Sequence, residues 1–245
     1  DWGYFLQHGC VFGIRDAERR LIASAALLPF PPVTWISMVL VTPSWRRRGL
    51  ANRLMAHCIE TAQTRKLEPW LDATPAGATV YGPMGFTETK IGLNRLRRMA
   101  TGRRSRGEWA SSKADLQVLL DCDRRAMGFE RGDLLRHFAG REGSAIYTVG
   151  SAIGLVRAGR KARQIGPVYA ADASAAVALF ERVLEEEPGS LVIDLSKAHS
   201  ETHEFLVSRC FVFERPFARM RFGKDAPKAA GGTAELIAIA GPEFG

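Results

Sequence analysis

The segment that most restricts the fold is Val33-Thr34-Trp35-Ile36-Ser37-Met38-Val39-Leu40-Val41, together with the adjoining Thr42-Pro43-Ser44-Trp45-Arg46-Arg47-Arg48-Gly49-Leu50-Ala51. The first nine residues are almost wholly apolar and include several β-branched side chains, the pattern of a central strand buried on both faces. Thr42 and Pro43 end it. The next stretch predicts a helix from about Arg47 to Lys66, with Leu50, Leu54, Ile59 and Ala62 on an inner stripe. A buried strand feeding a helix through a tight loop belongs to α/β architecture. It also makes an anion site, because N–H groups at a helix amino terminus lack helical partners and the dipole favours negative charge. Gly49 permits close backbone approach and Ala51 keeps the first turn clear. The Gly-Lys-Ser/Thr ending of a P-loop and the dinucleotide pattern GxGxxG are both absent. An amphipathic helix with a charged entrance produces the same arginine cluster without any ligand, so both readings stand.

Around this segment the chain reads as short, alternating elements. Strands are expected at Val11–Ile14 and Leu21–Leu28, broken by Pro29, Pro31 and Pro32. A strand at Trp70–Ala73 feeds Thr74-Pro75, a helix start with Thr as cap and Pro in the first turn. That short helix carries Val80 and Tyr81 before Gly82–Gly85, and closing strands are expected at Phe86–Ile91 and Leu93–Arg97. Helices follow at Lys113–Met127 and Asp133–Ala139, then strands at Ala145–Val149, Ala152–Val156 and Gln164–Tyr169. A helix at Ser174–Glu187, a strand at Leu191–Leu195, a helix at Thr202–Ser208 and a strand at Phe211–Phe217 complete the pattern.

The two halves echo one another: a strand pair, an apolar strand, a long helix, a short strand, a short helix and a last strand. The expected organisation is a first domain over 1–100, a linker over 101–112 and a second domain over 113–245. The first half shows no counterpart of the helices at 113–139, so it reads as lacking its opening strand and helices. The class is mixed α+β, with each half a mixed, mostly antiparallel sheet flanked by helices.

Charge is uneven. Residues 1–106 hold 16 Lys and Arg against 7 Asp and Glu, whereas 107–245 hold 18 against 19. A basic first half suits an anionic ligand. The arginines concentrate at Arg46–Arg48 and again at Arg95–Arg106, where a charge run in a linker is expected to be solvated. Cys10, Cys58, Cys122 and Cys210 form no CxxC pair, which fits a reducing compartment better than a disulfide or zinc framework, and no metal site is expected. No apolar stretch reaches bilayer length and no secretory leader is evident, so the expectation is a cytoplasmic protein without a membrane partner.

Arg46-Arg47-Arg48-Gly49-Leu50-Ala51 resembles the Arg/Gln-x-x-Gly-x-Gly/Ala signature of the GCN5-related N-acetyltransferase (GNAT) family, and Val39–Pro43 is similar to its Val-x-Val-x-Pro lead. Tyr81-Gly82-Pro83-Met84-Gly85-Phe86 resembles a second family feature, a tyrosine shortly before a Gly-Phe pair. Leu71–Gly77 resembles a bacterial tandem branch whose second half is a degenerate acetyltransferase-like domain. Asp123-Arg124, Ile165-Gly166-Pro167, Arg215-Pro216 and Arg219-Met220 resemble that half. The resemblance implies acetyl-CoA as cofactor and direct acyl transfer to an amine in a ternary complex. It implies pyrophosphate held by the backbone after Arg46, through Arg47, Arg48, Gly49, Leu50 and Ala51. Val39, Leu40 and Val41 would align the pantetheine arm, Thr74 and Tyr81 would flank the cofactor, and Tyr81 would protonate the departing thiolate. Tyr81 equally reads as a half-buried structural tyrosine beside Phe86. Many members place a glutamate on the central strand, where this chain has Trp35-Ile36-Ser37-Met38. Asp72 is the candidate base, with capping of the Thr74–Pro75 turn as its other reading.

The second half lacks the signature. Ala170-Ala171-Asp172-Ala173-Ser174 puts a carboxylate where phosphate would sit, and Asp172 can cap the helix instead, so one cofactor site per chain is expected. His199, His203 and Glu204 read as cap or surface groups rather than a polar site. The acceptor is expected to be a small-molecule or peptide amine, and the protein a monomer or homodimer. A non-catalytic acyl-CoA sensor or interaction protein is the rival from another class. Nucleic-acid binding is not expected, since no helix-turn-helix, zinc pattern or aromatic RNA-binding motif occurs.

Overall fold

The structure is a computed structural model, and it describes residues 1–102, 113–223 and 236–245. In chain order the elements are α1 (Trp2–His8), β1 (Cys10–Arg15), β2 (Leu21–Phe30), β3 (Val33–Val41), α2 (Leu50–Thr64), β4 (Glu68–Ala73), α3 (Pro75–Tyr81) and β5 (Phe86–Arg98). Beyond these lie α4 (Lys113–Met127), α5 (Gly132–Ala139), β6 (Ala145–Val149), β7 (Ala152–Arg157), β8 (Arg163–Tyr169), α6 (Ala173–Glu186), β9 (Leu191–Ser196), α7 (Ser200–Ser208), β10 (Val212–Phe222) and β11 (Leu236–Ala238). The expected echo is present: strand, strand, strand, long helix, strand, short helix and strand occur twice. Two elements fall where the sequence pattern placed nothing. One is α1, ahead of the first strand; the other is β11.

The chain forms two compact units. The first comprises Asp1–Lys90, Ala218–Asp225 and Pro242–Gly245; the second comprises Ile91–Phe217 and Ala226–Gly241. The changeover therefore lies inside β5, at Lys90/Ile91, rather than in the polar stretch after residue 100. The two strands expected at Phe86–Ile91 and Leu93–Arg97 are one. Gly92 does not interrupt it, because the Lys197 stem lies where a Cβ would be and the Lys197 N–H donates to the Gly92 carbonyl at 2.9 Å.

In the first unit, β1, β2 and β3 are antiparallel, β3 and β4 are parallel, and the end of β10 runs antiparallel to β4. Helix α2 buries Leu54, Met55, Cys58, Ile59 and Ala62 against Ala23, Ala25 and Leu27 of β2, Ile36 of β3 and Leu71 and Ala73 of β4. Each fully buried side chain of leucine or isoleucine size contributes about 1.5–3 kcal/mol.

In the second unit, β6, β7 and β8 are antiparallel, β8 and β9 are parallel, and the end of β5 pairs antiparallel with β9 from Leu93↔Ser196 to Arg98↔Leu191. The last strand of each half thus finishes in the other half's unit. Several buried polar side chains of the second unit are paired. Arg131 holds Asp123 at 2.7 Å, and the Tyr169 hydroxyl donates to the same carboxylate. The Arg163 guanidinium and the Tyr147 hydroxyl meet Glu187. Arg95 meets Asp194 with two hydrogen bonds, at 2.7 and 2.8 Å. The arginines expected to be solvated at 95–98 are therefore strand residues tied into the sheet: Arg97 pairs with Glu214, and buried Arg98 donates to the Glu187 carbonyl. Arg103, Arg104 and Arg106 lie outside the described residues.

Candidate functional site

The site in the first unit begins with a strand pair that parts. β3 and β4 are paired only at Val33↔Glu68, Thr34↔Pro69 and Trp35↔Trp70. Beyond that point β4 turns to β10, pairing Trp70–Ala73 with Arg221–Ala218. β3 turns away through a bulge. Between the pairs Ala26↔Ser37 and Ser24↔Leu40 two residues, Met38 and Val39, oppose the single residue Ala25. Met38 takes φ +54°, and its carbonyl accepts the Ser24 hydroxyl at 3.1 Å. Bulges bend a strand and end its pairing in this way. Among the described residues, Ile36–Val41 consequently have no strand partner on the β4 side. A free strand edge is a place for an extended ligand to pair.

The wedge leads to the amino terminus of α2. Pro43–Trp45 form a 3-10 turn, Arg47 takes φ +60° and Gly49 φ +73°, and the helix starts at Leu50. The expected start at Arg47 is thus corrected: two left-handed residues exclude helical geometry there. Arg46, Arg47 and Arg48 occupy the approach turn and are exposed. The Arg46 Nε donates to the Val41 carbonyl at 3.2 Å, and the Arg48 guanidinium lies 4.8 Å from the Trp45 ring centre. Among the described residues, no side-chain cap hydrogen bond closes the first turn of α2. A Cβ built on Gly49 meets nothing within 4 Å, so the turn opens to free space.

On the other side of the wedge, the Thr74 hydroxyl accepts the Gly77 N–H at 3.2 Å and caps α3. Tyr81 ends α3 and folds back along it, with its Cε2 only 2.9 Å from where a Cβ on Gly77 would sit. The ring is tilted against Phe86, with 6.2 Å between centroids. Burial pushes the Tyr81 hydroxyl pKa upward, and the nearby Cys58 thiol adds to it. Burial also pushes Cys58 up to about 12. Val39, Val41, Leu50 and Tyr81 are all partly buried and packed on one cluster, that of α2 and the sheet. The fold therefore assembles these four predicted positions around one apolar floor. Thr74 borders them, and Leu40 is exposed on the strand.

Asp72 has a different setting. Arg219 grips it with two hydrogen bonds of 2.9 Å, and both side chains are buried. The guanidinium also lies 4.7 Å from the Trp35 ring centre. Thr74, not Asp72, caps the next turn. Sequence reasoning missed Ser37. It is buried on β3, and its Oγ has no hydrogen-bond partner among the described residues. An isolated hydroxyl in an apolar run was the only available signal. In the second half the Asp172 carboxylate accepts the Ala175 N–H at 2.8 Å and caps α6, as expected.

Residues 1–86 match the Acetyltransferase (GNAT) family, and residues 119–233 match the Acetyltransferase (GNAT) domain. The chain belongs to the GNAT acetyltransferase superfamily. Its two GNAT matches lie one after the other in tandem. Over 96% of its length, and 86% of the relative's, it is 24% identical to an uncharacterized N-acetyltransferase, YitH, of Bacillus subtilis (strain 168). A putative acetyltransferase from Pyrococcus horikoshii shares its fold, with a TM-score of 0.77 and 19% identity over 93% of this chain and 78% of that one. A tandem GNAT protein from the clavulanic acid biosynthesis pathway gives a TM-score of 0.60 and 16% identity, over 88% and 83% of the two chains. Membership in this superfamily supports acyl-CoA-dependent acyltransferase activity in general. Among the described residues, no helix is long and apolar enough to cross a membrane.

Proposed function

We propose that the first unit is an N-acetyltransferase that moves an acetyl group from acetyl-CoA to a primary amine by direct attack in a ternary complex. One observation carries this reading: the β3–β4 ladder stops after three pairs, immediately ahead of a helix whose first turn is uncapped and entered through left-handed Gly49. The residues present fit the cofactor. The free edge of β3 at Val39–Val41 suits an amide-bearing arm, and the N–H groups of residues 47–51 with three exposed arginines suit a pyrophosphate. When bound, acetyl-CoA supplies an activated thioester. Tyr81 Oη holds its proton at neutral pH, because burial disfavours the phenolate, and is the group to protonate the departing sulfur.

Asp72 is assigned a positioning role. Its carboxylate is committed to Arg219, and that pair anchors the end of β4 beside the wedge. Water or buffer therefore takes the amine proton, which an alkylamine with a pKa near 10 must lose before attack. Ser37 Oγ offers a polar contact on β3.

Release of free thiol from acetyl-CoA, measured against a panel of polyamines, amino acids, aminoglycosides and peptides, tests the proposal. Saturable turnover with one amine class and a mass gain of one acetyl group on that amine are expected. Tight acetyl-CoA binding without turnover on any amine would support the acyl-CoA sensor instead.

A further inference from the structure

The second unit contains the same parting strands, with a different content. β8 and β9 are parallel at Arg163↔Leu191, Gln164↔Val192 and Ile165↔Ile193, and then separate. β11 lies between them. It pairs antiparallel with β8 at Leu236↔Tyr169 and Ala238↔Val168, and with β9 at Ala238↔Leu195. The Ile239 N–H donates to the Asp194 carbonyl at 3.1 Å. Side chains complete the grip: His199 Nε2 meets the Leu236 carbonyl at 3.0 Å, and buried Arg157 donates to the Ala240 carbonyl at 2.8 Å. Leu236, Ile237, Ala238, Ile239 and Ala240 are all buried. At the fork, Gly166 takes φ +144°, and a Cβ there would stand 2.0 Å from the Ile239 carbonyl oxygen. Only glycine lets the segment pass.

We propose that this fork is a strand-binding site whose ligand is an extended apolar peptide, and that its resident occupant is the chain's own Leu236–Ala240. Recognition runs through backbone hydrogen bonds on both edges, with small and branched apolar side chains filling the faces, the usual logic of strand addition. The place that the proposed function gives to an acyl-CoA arm in the first half is here taken by polypeptide. His199, which the sequence suggested as a cap or surface group, is one of the ligand's clamps. This inference stands independently of the transferase reading, since it needs no cofactor.

The test cuts the folded full-length chain at a protease site placed within 226–232 and follows the freed fragment by size exclusion and mass spectrometry. The fragment is expected to stay bound. Gly166→Val should speed its loss by more than about tenfold, roughly 1.4 kcal/mol, whereas Cys210→Ser, an exposed residue outside the slot and the fragment, should not. A synthetic peptide of residues 234–245 in excess should displace it, and the same peptide with Ile239→Pro, lacking the N–H given to Asp194, should not. That pair of peptides decides the matter even where Gly166→Val fails to fold. Immediate loss of the fragment from the cut wild-type protein, or equal displacement by both peptides, would overturn the proposal.

Discussion

The two halves build one device and finish it differently. Each opens a parallel strand pair after three residue pairs, at Trp35/Trp70 in the first and Ile165/Ile193 in the second. In the first, no strand enters the gap among the described residues, and the helix beyond it starts uncapped behind three arginines. In the second, β11 fills the gap, and Asp172 satisfies the helix start with a carboxylate. A parting strand pair leaves backbone groups that need partners, because buried N–H and C=O groups are costly when unpaired. On the function proposed above, a half that takes those partners from its own chain gives up the cofactor, and a half that leaves them open binds one.

The largest effect expected from a single change is on stability and belongs to the second half. Arg131→Ala strands a buried Asp123 carboxylate beside Tyr169 and should cost about 3–5 kcal/mol in denaturant unfolding. Acetyl-CoA affinity of the folded fraction should not change, and a weakened affinity would break the comparison by tying that core to cofactor binding. Next comes Tyr81→Phe, expected to lower kcat by about 10²-fold, roughly 2.7 kcal/mol, with acetyl-CoA affinity unaltered. The active form is the protonated phenol, and burial raises its pKa, so wild-type activity should fall only above the ordinary tyrosine range. That alkaline limb should vanish in Tyr81→Phe; its persistence would assign the proton to another group.

Asp172→Ala removes the α6 cap and should cost about 1 kcal/mol of stability. It should create no second acetyl-CoA site, because β11 still fills the fork; a second equivalent bound would contradict the comparison. The smallest effect is chemical. Exposed Cys210 should react with an alkylating agent at pH 8, while buried Cys58, its thiol pushed up to about 12, should stay unmodified until the protein unfolds. Labelling of native Cys58 would mean that the floor of the wedge opens.

Much of this was legible in the residues because it is local. The strand Val33–Val41 comes from an almost wholly apolar run with several β-branched residues, the Thr74 cap from Thr-Pro, and the Asp172 cap from its place before an alanine-rich helix. The features that stayed hidden depend on partners far along the chain. Asp72 as a possible base and Asp72 bound to Arg219 are the same residue, told apart only by a strand 147 residues later. Leu236–Ala240 is too short a run, between Glu235 and Gly241-Pro242, to announce a strand, and its role arises from β8 and β9. The strands expected at Phe86–Ile91 and Leu93–Arg97 join through Gly92, whose cover, the Lys197 stem, lies outside any local window. The helix start shifted to Leu50 because positive φ at Arg47 is a property of the turn, and arginine carries no local signal for it.

The central claim is that one chain holds one acetyl-CoA, in the first half. Calorimetric titration of acetyl-CoA into the full-length protein, repeated with Gly49→Glu, tests it most directly. That substitution places a carboxylate and a side chain at φ +73°, at the mouth of the α2 turn. The wild type should bind one equivalent and folded Gly49→Glu none. Two equivalents, or binding unchanged by the substitution, would contradict the claim.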